Sequence, residues 1–371
     1  MKCKNARSVQ ILKTLRDEIL AGHYAKARIF PSEVALSRRF GVSRSMMTIV
    51  VGELEKQGLV SRQQGRGTFV TDRGTSRKIG LIVPGMAYSE FFPPIVSEIS
   101  RLSGEAGYAL QFADVSETEV ESRLAKIRQV AADMLAAGVA GVIYHPLEFA
   151  AASVRANAEI VDAFDRAGVQ VVLLDRPVKP LPGGKDHDVV GIDNFKAGCA
   201  IAEHLCAVGA KRICYLARKG LAPLGNRYEG VRAVISREAH RCVDVLLPDT
   251  DSPRRMATEL RRLKPDAVVC ANDAIAARFR QTLEKIGLRV PEDILLAGFD
   301  DMSIASLMTP PLTTVHQPCA EIADVAFRRL LERIANPSLP VVAFCLSAPV
   351  VVRASTCPES TPSQSKRRKS K

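Results

Sequence analysis

The 371-residue sequence predicts an α/β protein in two unequal parts: a small basic head of helices closed by a hairpin, then a larger doubly wound parallel α/β region in two lobes. Three observations carry this. Residues 1–78 hold 16 Lys and Arg against 6 Asp and Glu, whereas residues 79–354 hold 31 against 33. Apolar residues at the front recur at helical spacing. Behind them, nine short apolar runs alternate with helix-period segments. Strands apolar throughout are covered on both faces, and nine of them exceed one ordinary sheet.

The head comes first. Residues 7–21 form an amphipathic helix, with Leu12, Leu15 and Ile19 facing a core. Ser32 suits the N-cap of a second helix, whose Leu36 and Phe40 share a face and which Gly41 ends. Ser43 suits the N-cap of a third, where Met47, Val50, Val51 and Leu54 fall on one buried side. Its other side offers Arg44, Ser45 and Thr48 near the N-terminus, the end from which a recognition helix reads base edges. The runs Leu59–Arg62 and Thr68–Val70 then alternate as a hairpin about Gln64, Gly65, Arg66 and Gly67, a turn that can approach a phosphate backbone closely. Residues 1–71 are assigned to this domain and 72–78 to a polar linker.

Taken singly, a glycine turn is usually only a turn and a surface Arg is usually solvated. The ordered set, ending in QQGRGTFV, resembles the winged helix-turn-helix of the GntR family over Arg7 to Val70. The resemblance implies contact with double-stranded DNA through Ser32, Ser43, Arg44, Ser45 and Thr48 and through the wing residues Gln64, Gly65, Arg66 and Gly67. Val34 and Thr48 depart from residues common in that family, so base preference does not carry over.

The lobes follow over residues 79–354, with runs such as KIGLIVP, GVIYHP, VVLLDR, VVCAND and LLAGFD. Ligands of such sheets bind beyond the carboxyl ends of strands. Polar residues stand there: Asp175 and Arg176, Asn272 and Asp273, Asp300 and Asp301, with Arg227 opening a helix and Gln317 after TTVH. Paired carboxylates and amides suit a polyol. The stretches Val189–Ala217 and Pro265–Pro318 resemble the effector domain of the LacI/GalR family, a periplasmic-binding-protein-like type I fold, and the joined plan resembles arabinose-repressor-like regulators. The resemblance implies effector contacts at Phe91, Phe92, Asp175, Arg227, Asn272, Asp300 and Gln317. Structural alternatives stand beside several of these. Phe91 and Phe92 suit a core as well as a ligand wall. Asp273 and Asp301 suit helix caps, Asp193-Asn194 a helix start, and His145 a satisfied structural role.

Several classes are excluded. No run approaches the ~18 apolar residues of a membrane helix and MKCKNARSVQ has no signal-peptide core, which predicts a cytoplasmic protein. The nine cysteines make no CxxC pair and no His-Cys cluster, so neither disulfides nor metal is expected, and Cys206, Cys214 and Cys270 read as buried hydrophobes. Pro182–Asp186 lacks phosphate-loop spacing and no catalytic or cofactor motif occurs. Residues 355–371 read as a disordered basic tail, solubilising or touching phosphate. Together with the resemblance, this predicts a homodimeric repressor on a pseudo-palindromic operator, released by a small sugar-like effector. The alternative is a sugar-binding component of transport or signalling.

Overall fold

The computed structural model describes residues 6–20, 23–24, 29–63, 65–71, 78–86, 90–117, 119–147, 151–178, 187–217, 226–237, 242–246 and 252–357. Gln64, linker residues 72–77, the Pro182–Asp186 loop and residues 358–371 lie outside them. By its internal contacts the chain divides into one unit of residues 1–191 and 319–346 and a second of residues 192–318 and 347–371.

The head, in the first unit, comprises α1 (Ala6–Leu20), β1 (Ile29–Phe30), α2 (Glu33–Phe40), α3 (Arg44–Lys56), β2 (Val60–Gln63) and β3 (Gly67–Val70). Local signals act where they stand in the sequence. Ser32 Oγ accepts from Ala35 N at 3.2 Å and Ser43 Oγ from Met46 N at 3.3 Å. Gly41 ends α2 in the left-handed region at φ 62°. Ile11, Leu15 and Ile19 meet Leu36, Met47, Val50, Val51 and Leu54 in one core, against which half-buried Leu12 packs as expected; Ile11 was not expected there. β2 and β3 pair antiparallel with Arg62 opposite Thr68. The two-residue β1 was not expected; it adds to β3 with Phe30 opposite Thr68.

The first lobe is a sheet of order β14-β8-β7-β6-β4-β5, from β4 (Lys78–Val83), β5 (Ala109–Asp114), β6 (Gly141–Tyr144), β7 (Gln170–Leu174), β8 (Asp188–Ile192) and β14 (Ala343–Leu346). Lys78 thus opens a strand and is not linker. Its helices include α4 (Phe92–Glu105), α5 (Val120–Ala136), α6 (Ala151–Arg166) and α12 (Cys319–Ala335). The second lobe has order β10-β9-β11-β12-β13-β15, from β9 (Arg212–Leu216), β10 (Cys242–Leu246), β11 (Ala267–Cys270), β12 (Leu295–Asp300), β13 (Thr313–His316) and β15 (Val350–Val351). α7 (Asn194–Ala207), α8 (Asn226–Ile235), α9 (Pro253–Leu263), α10 (Asp273–Lys285) and α11 (Ser303–Leu307) belong to it. In both sheets the order reverses beside the first strand, the switch point at which such folds hold ligands. The β13–β15 pair is antiparallel and escaped the sequence pattern, because β15 is two residues long.

The tail expectation needs correcting at its start. Ser355 and Thr356 are fully buried, in a 3-10 turn over Ala354–Thr356. Ser355 Oγ donates to Leu296 O at 2.6 Å and accepts from Thr313 N at 2.8 Å, while the Thr356 and Thr313 hydroxyls lie 2.7 Å apart. Two small hydroxyl residues complete strand ends there, a role their polar composition concealed. Cys214 and Cys270 are fully buried as expected, but Cys206 is only half-buried.

Candidate functional site

Met47, Val50, Val51 and Leu54 hold α3 by one face, which leaves Arg44, Ser45 and Thr48 exposed on another. Arg44 is the first residue of the helix, and the Ser43 and Ser45 hydroxyls lie 3.0 Å apart beside it. A capping hydroxyl that accepts from the backbone still has its own proton to donate, so Ser32 and Ser43 can cap and bind at once. Thr48 is committed more fully: its Oγ1 donates to Glu33 Oε2 at 2.7 Å. Arg62 Nη2 grips the other Glu33 oxygen at 2.8 Å, also reaching Thr48 O at 3.3 Å. Glu33 therefore braces α2, α3 and the hairpin together. Sequence reasoning missed it, since an acidic residue in a first turn reads only as a partner for the helix dipole. At the hairpin tip Arg66 is exposed, and Gly65 and Gly67 adopt φ of 73° and 114°. A Cβ at either glycine would meet no atom of the described residues within 4 Å, so the need is conformational.

The strand ends of the first lobe are built separately. Asp114 accepts from the backbone N–H of Gly85 and Met86, both at 3.0 Å, and so fixes the segment after β4. Phe91 and Phe92 are both buried, their rings edge-on to each other at 5.2 Å, with His145 packed edge-on to Phe92 at 4.9 Å. Buried Asn157 on α6 bonds Tyr144 Oη and both backbone groups of Leu147, which clamps the turn carrying His145. His145 Nε2 is 3.7 Å from Asp175 Oδ2, and burial lowers its pKa despite that carboxylate, so the ring is neutral. Asp175 follows β7 at φ 64°, pairs with Arg176 Nη2 at 2.9 Å, and has its backbone pressed where a Cβ at Gly191 would sit.

In the second lobe the residues converge on one carboxylate. Arg227 Nη2 and Gln317 Nε2 both reach Asp300 Oδ1, at 2.9 and 2.8 Å. Arg227 also donates to Asn194 Oδ1 at 2.7 Å and Ala271 O at 2.9 Å, and its guanidinium lies 4.7 Å over the Phe299 ring. Asp300 stands at φ 103°, a conformation that costs a non-glycine residue on the order of 1–3 kcal/mol. Gln317 is buried and its Oε1 meets no hydrogen-bond partner among the described residues. Asn272 caps α10 through Oδ1, accepting from Ile275 N at 2.9 Å.

Two capping expectations fail. Asp273 is not the cap: its fully buried carboxylate accepts from Thr314 Oγ1 at 2.7 Å and Met302 N at 2.9 Å. Burial, helped by nearby Asp300 and Asp301 and opposed by those hydrogen bonds, pushes its pKa up to about 7. Asp301 instead holds Arg353 Nη2 at 2.6 Å and His316 Nδ1 at 2.9 Å, because φ 52° turns it away from α11. Asp193 does cap α7 as expected, accepting from Phe195 N and Lys196 N. Asn194, read only as part of that start, orients Arg227. The predicted residues thus fall into three groups: a head face, a first-lobe cluster and a second-lobe cluster. Among the described residues no set of three metal-ligating side chains gathers, and no helix is long and apolar enough to cross a membrane.

Residues 7–70 match the bacterial regulatory proteins of the gntR family, and residues 202–356 match a periplasmic binding protein-like domain. The chain is 25% identical over 364 residues to the arabinose metabolism transcriptional repressor of Geobacillus stearothermophilus, covering 94% of this chain and 97% of the relative. It is 28% identical over 270 residues to the ribose operon repressor of Escherichia coli K12, covering 70% and 76%. Among solved structures, a LacI family transcriptional regulator from Enterococcus faecium with bound ribose superposes with a TM-score of 0.62 at 22% identity, covering 76% of this chain and 99% of that one.

Proposed function

From a chain that joins a GntR-family head to a periplasmic-binding-protein-like domain, we infer a transcriptional repressor whose grip on DNA is set by a small sugar. The observation that carries this is the second-lobe cluster. Arg227 and Gln317 converge on Asp300 Oδ1, which leaves Oδ2 of a backbone-strained carboxylate for a hydroxyl. A guanidinium, an amide and a carboxylate at strand ends form a donor-acceptor set for a polyol, and both repressor relatives are named for pentose systems.

In this reading Asp300, Arg227, Gln317 and the Nδ2 of Asn272 meet the sugar from one lobe. In the first lobe, Asp175, Phe91 and Phe92 are the candidate contacts, with Phe92 packed on His145. Arg44 reads bases, and Arg66 with the Gly65 and Gly67 backbone meets phosphate. The protein acts in the cytoplasm as a homodimer on a pseudo-palindromic operator, so that two α3 helices enter successive major grooves. The sugar shifts this grip by a differential affinity of about 1–3 kcal/mol between the two states.

The test is gel mobility of the promoter beside its own gene, with and without ribose and arabinose. A retarded band released by one sugar is expected; no band at low salt rejects the regulator. Arg227→Ala should weaken sugar binding in calorimetry by about 2–5 kcal/mol and leave operator affinity without sugar unchanged. A mutant that still releases at wild-type sugar concentrations rejects the pocket.

A further inference from the structure

The face of α1 opposite its core carries exposed Lys13 and half-buried Arg16 and Asp17. Lys13 Nζ donates to Asn336 Oδ1 at 3.3 Å and Ser338 Oγ at 3.2 Å, in the segment after α12. A Cβ at Gly168, in the turn between α6 and β7, would lie 4.0 Å from Arg16 Nη1. Arg16 Nε and Asp17 Oδ1 are both inaccessible. The head therefore meets the first lobe through this face, with Asn336 and Ser338 bonded to Lys13.

That segment is rigid for a reason distant in sequence. Asp188, fully buried at the start of β8, accepts from Arg329 Nε at 2.6 Å, Arg333 Nε at 2.7 Å and Val342 N at 2.7 Å. The same guanidiniums bind the carbonyls of Leu339 at 2.7 Å and Pro340 at 2.6 Å. One carboxylate thus ties the segment to β8 through two arginines. The chain passes between units at three places, after residues 191, 318 and 346. β8 ends at the first, α12 begins at the second and β14 ends at the third. The seat of the head is thus built from the pieces wired to all three crossings. Gly191 also packs against the Asp175 backbone, a residue of the first-lobe cluster.

We propose that residues 336–340 are a seat for the head, and that the Asp188–Arg329–Arg333 cluster passes the ligand state of the lobes through this seat to α1. The coupling rests on the regulator reading above; the seat does not. A rigid element fixed to every crossing follows any rearrangement of them, and a lysine held by two neutral acceptors can be moved without unfolding a core.

Two measurements on the full chain test this. Ser338→Asp places a carboxylate beside Lys13, so zero-length carbodiimide treatment should yield a Lys13-to-338 cross-linked peptide; its absence overturns the seat. Lys13→Ala, and separately Asn336→Ala with Ser338→Ala, alter exposed or half-buried residues outside any core. Each should cut the ratio of operator Kd with and without ribose or arabinose by at least about fivefold, with sugar binding in calorimetry unchanged. A wild-type ratio in both variants overturns the coupling. A wild-type protein that ignores both sugars overturns the regulator reading and the coupling together, and the cross-link then still decides the seat.

Discussion

In the head, the groups offered to a partner stand on contiguous chain from Ser43 to Thr48 and project from a helix whose other face is core. In the second lobe, Asn194, Arg227, Asp300 and Gln317 come from four segments and are bonded to one another before any ligand arrives. In the head the candidate recognition groups Arg44, Ser45 and Arg66 stand apart from the stabilising ones, although Ser32 and Ser43 also cap helices and Thr48 joins the Glu33 brace. In the second lobe the candidate contacts are themselves the bracing groups, with Asp300 in the left-handed region and Asp273 buried with its pKa pushed up to about 7. Substitutions should therefore separate function from folding in the head and mix them in the lobes.

The largest effect expected lies with Asp188. Asp188→Ala leaves two arginines facing a buried void and should destabilise the first unit by about 3–5 kcal/mol, read as a drop in denaturant midpoint at constant slope. A shift comparable to that of Arg44→Ala would break the contrast. Next comes pH. The Asp273 carboxyl binds its proton more tightly folded than unfolded, where it titrates near about 3.9. Stability of the second lobe should therefore fall as pH rises from about 4 towards about 7, with a slope approaching about 1.4 kcal/mol per pH unit, and level off above. Asp273→Asn should flatten that slope in a denaturant series across the same range. Smaller still, Arg44→Ala should cost about 1–3 kcal/mol of specific operator binding and relax preference at one base pair, with the thermal midpoint unchanged. At the bottom, Arg66→Ala should weaken all sequences alike and reduce the slope of log affinity against log salt by about one; a change in base preference would move Arg66 from phosphate to base.

The same contrast decides what was legible in sequence. Ser32, Gly41 and Ser43 act within a few residues of where they stand, so their capping roles and the buried side of α3 could be written from the chain alone. In the lobes, a polar residue after an apolar strand located Asp175, Asn272 and Asp300 correctly at strand ends, but not their partners. Asp273 and Asp301 carried the sequence mark of caps, and only the tertiary positions of Thr314 and Arg353 reassign them. Glu33, Asn157 and the Asp188 cluster were not legible, because each acts on a group 10 to 154 residues away.

The buried Ser355–Thr356 turn bears on how the protein is made. The second unit needs Ser355 and Thr356, translated after all the rest of both lobes, and the first needs α12 and β14, translated only after most of the second. Neither lobe can close until α12 and β14 have been made, whereas the core of the head is complete by Val70. A nascent or prematurely stopped chain would therefore carry a finished reader without a working sensor, and such fragments would hold DNA with nothing to dislodge them.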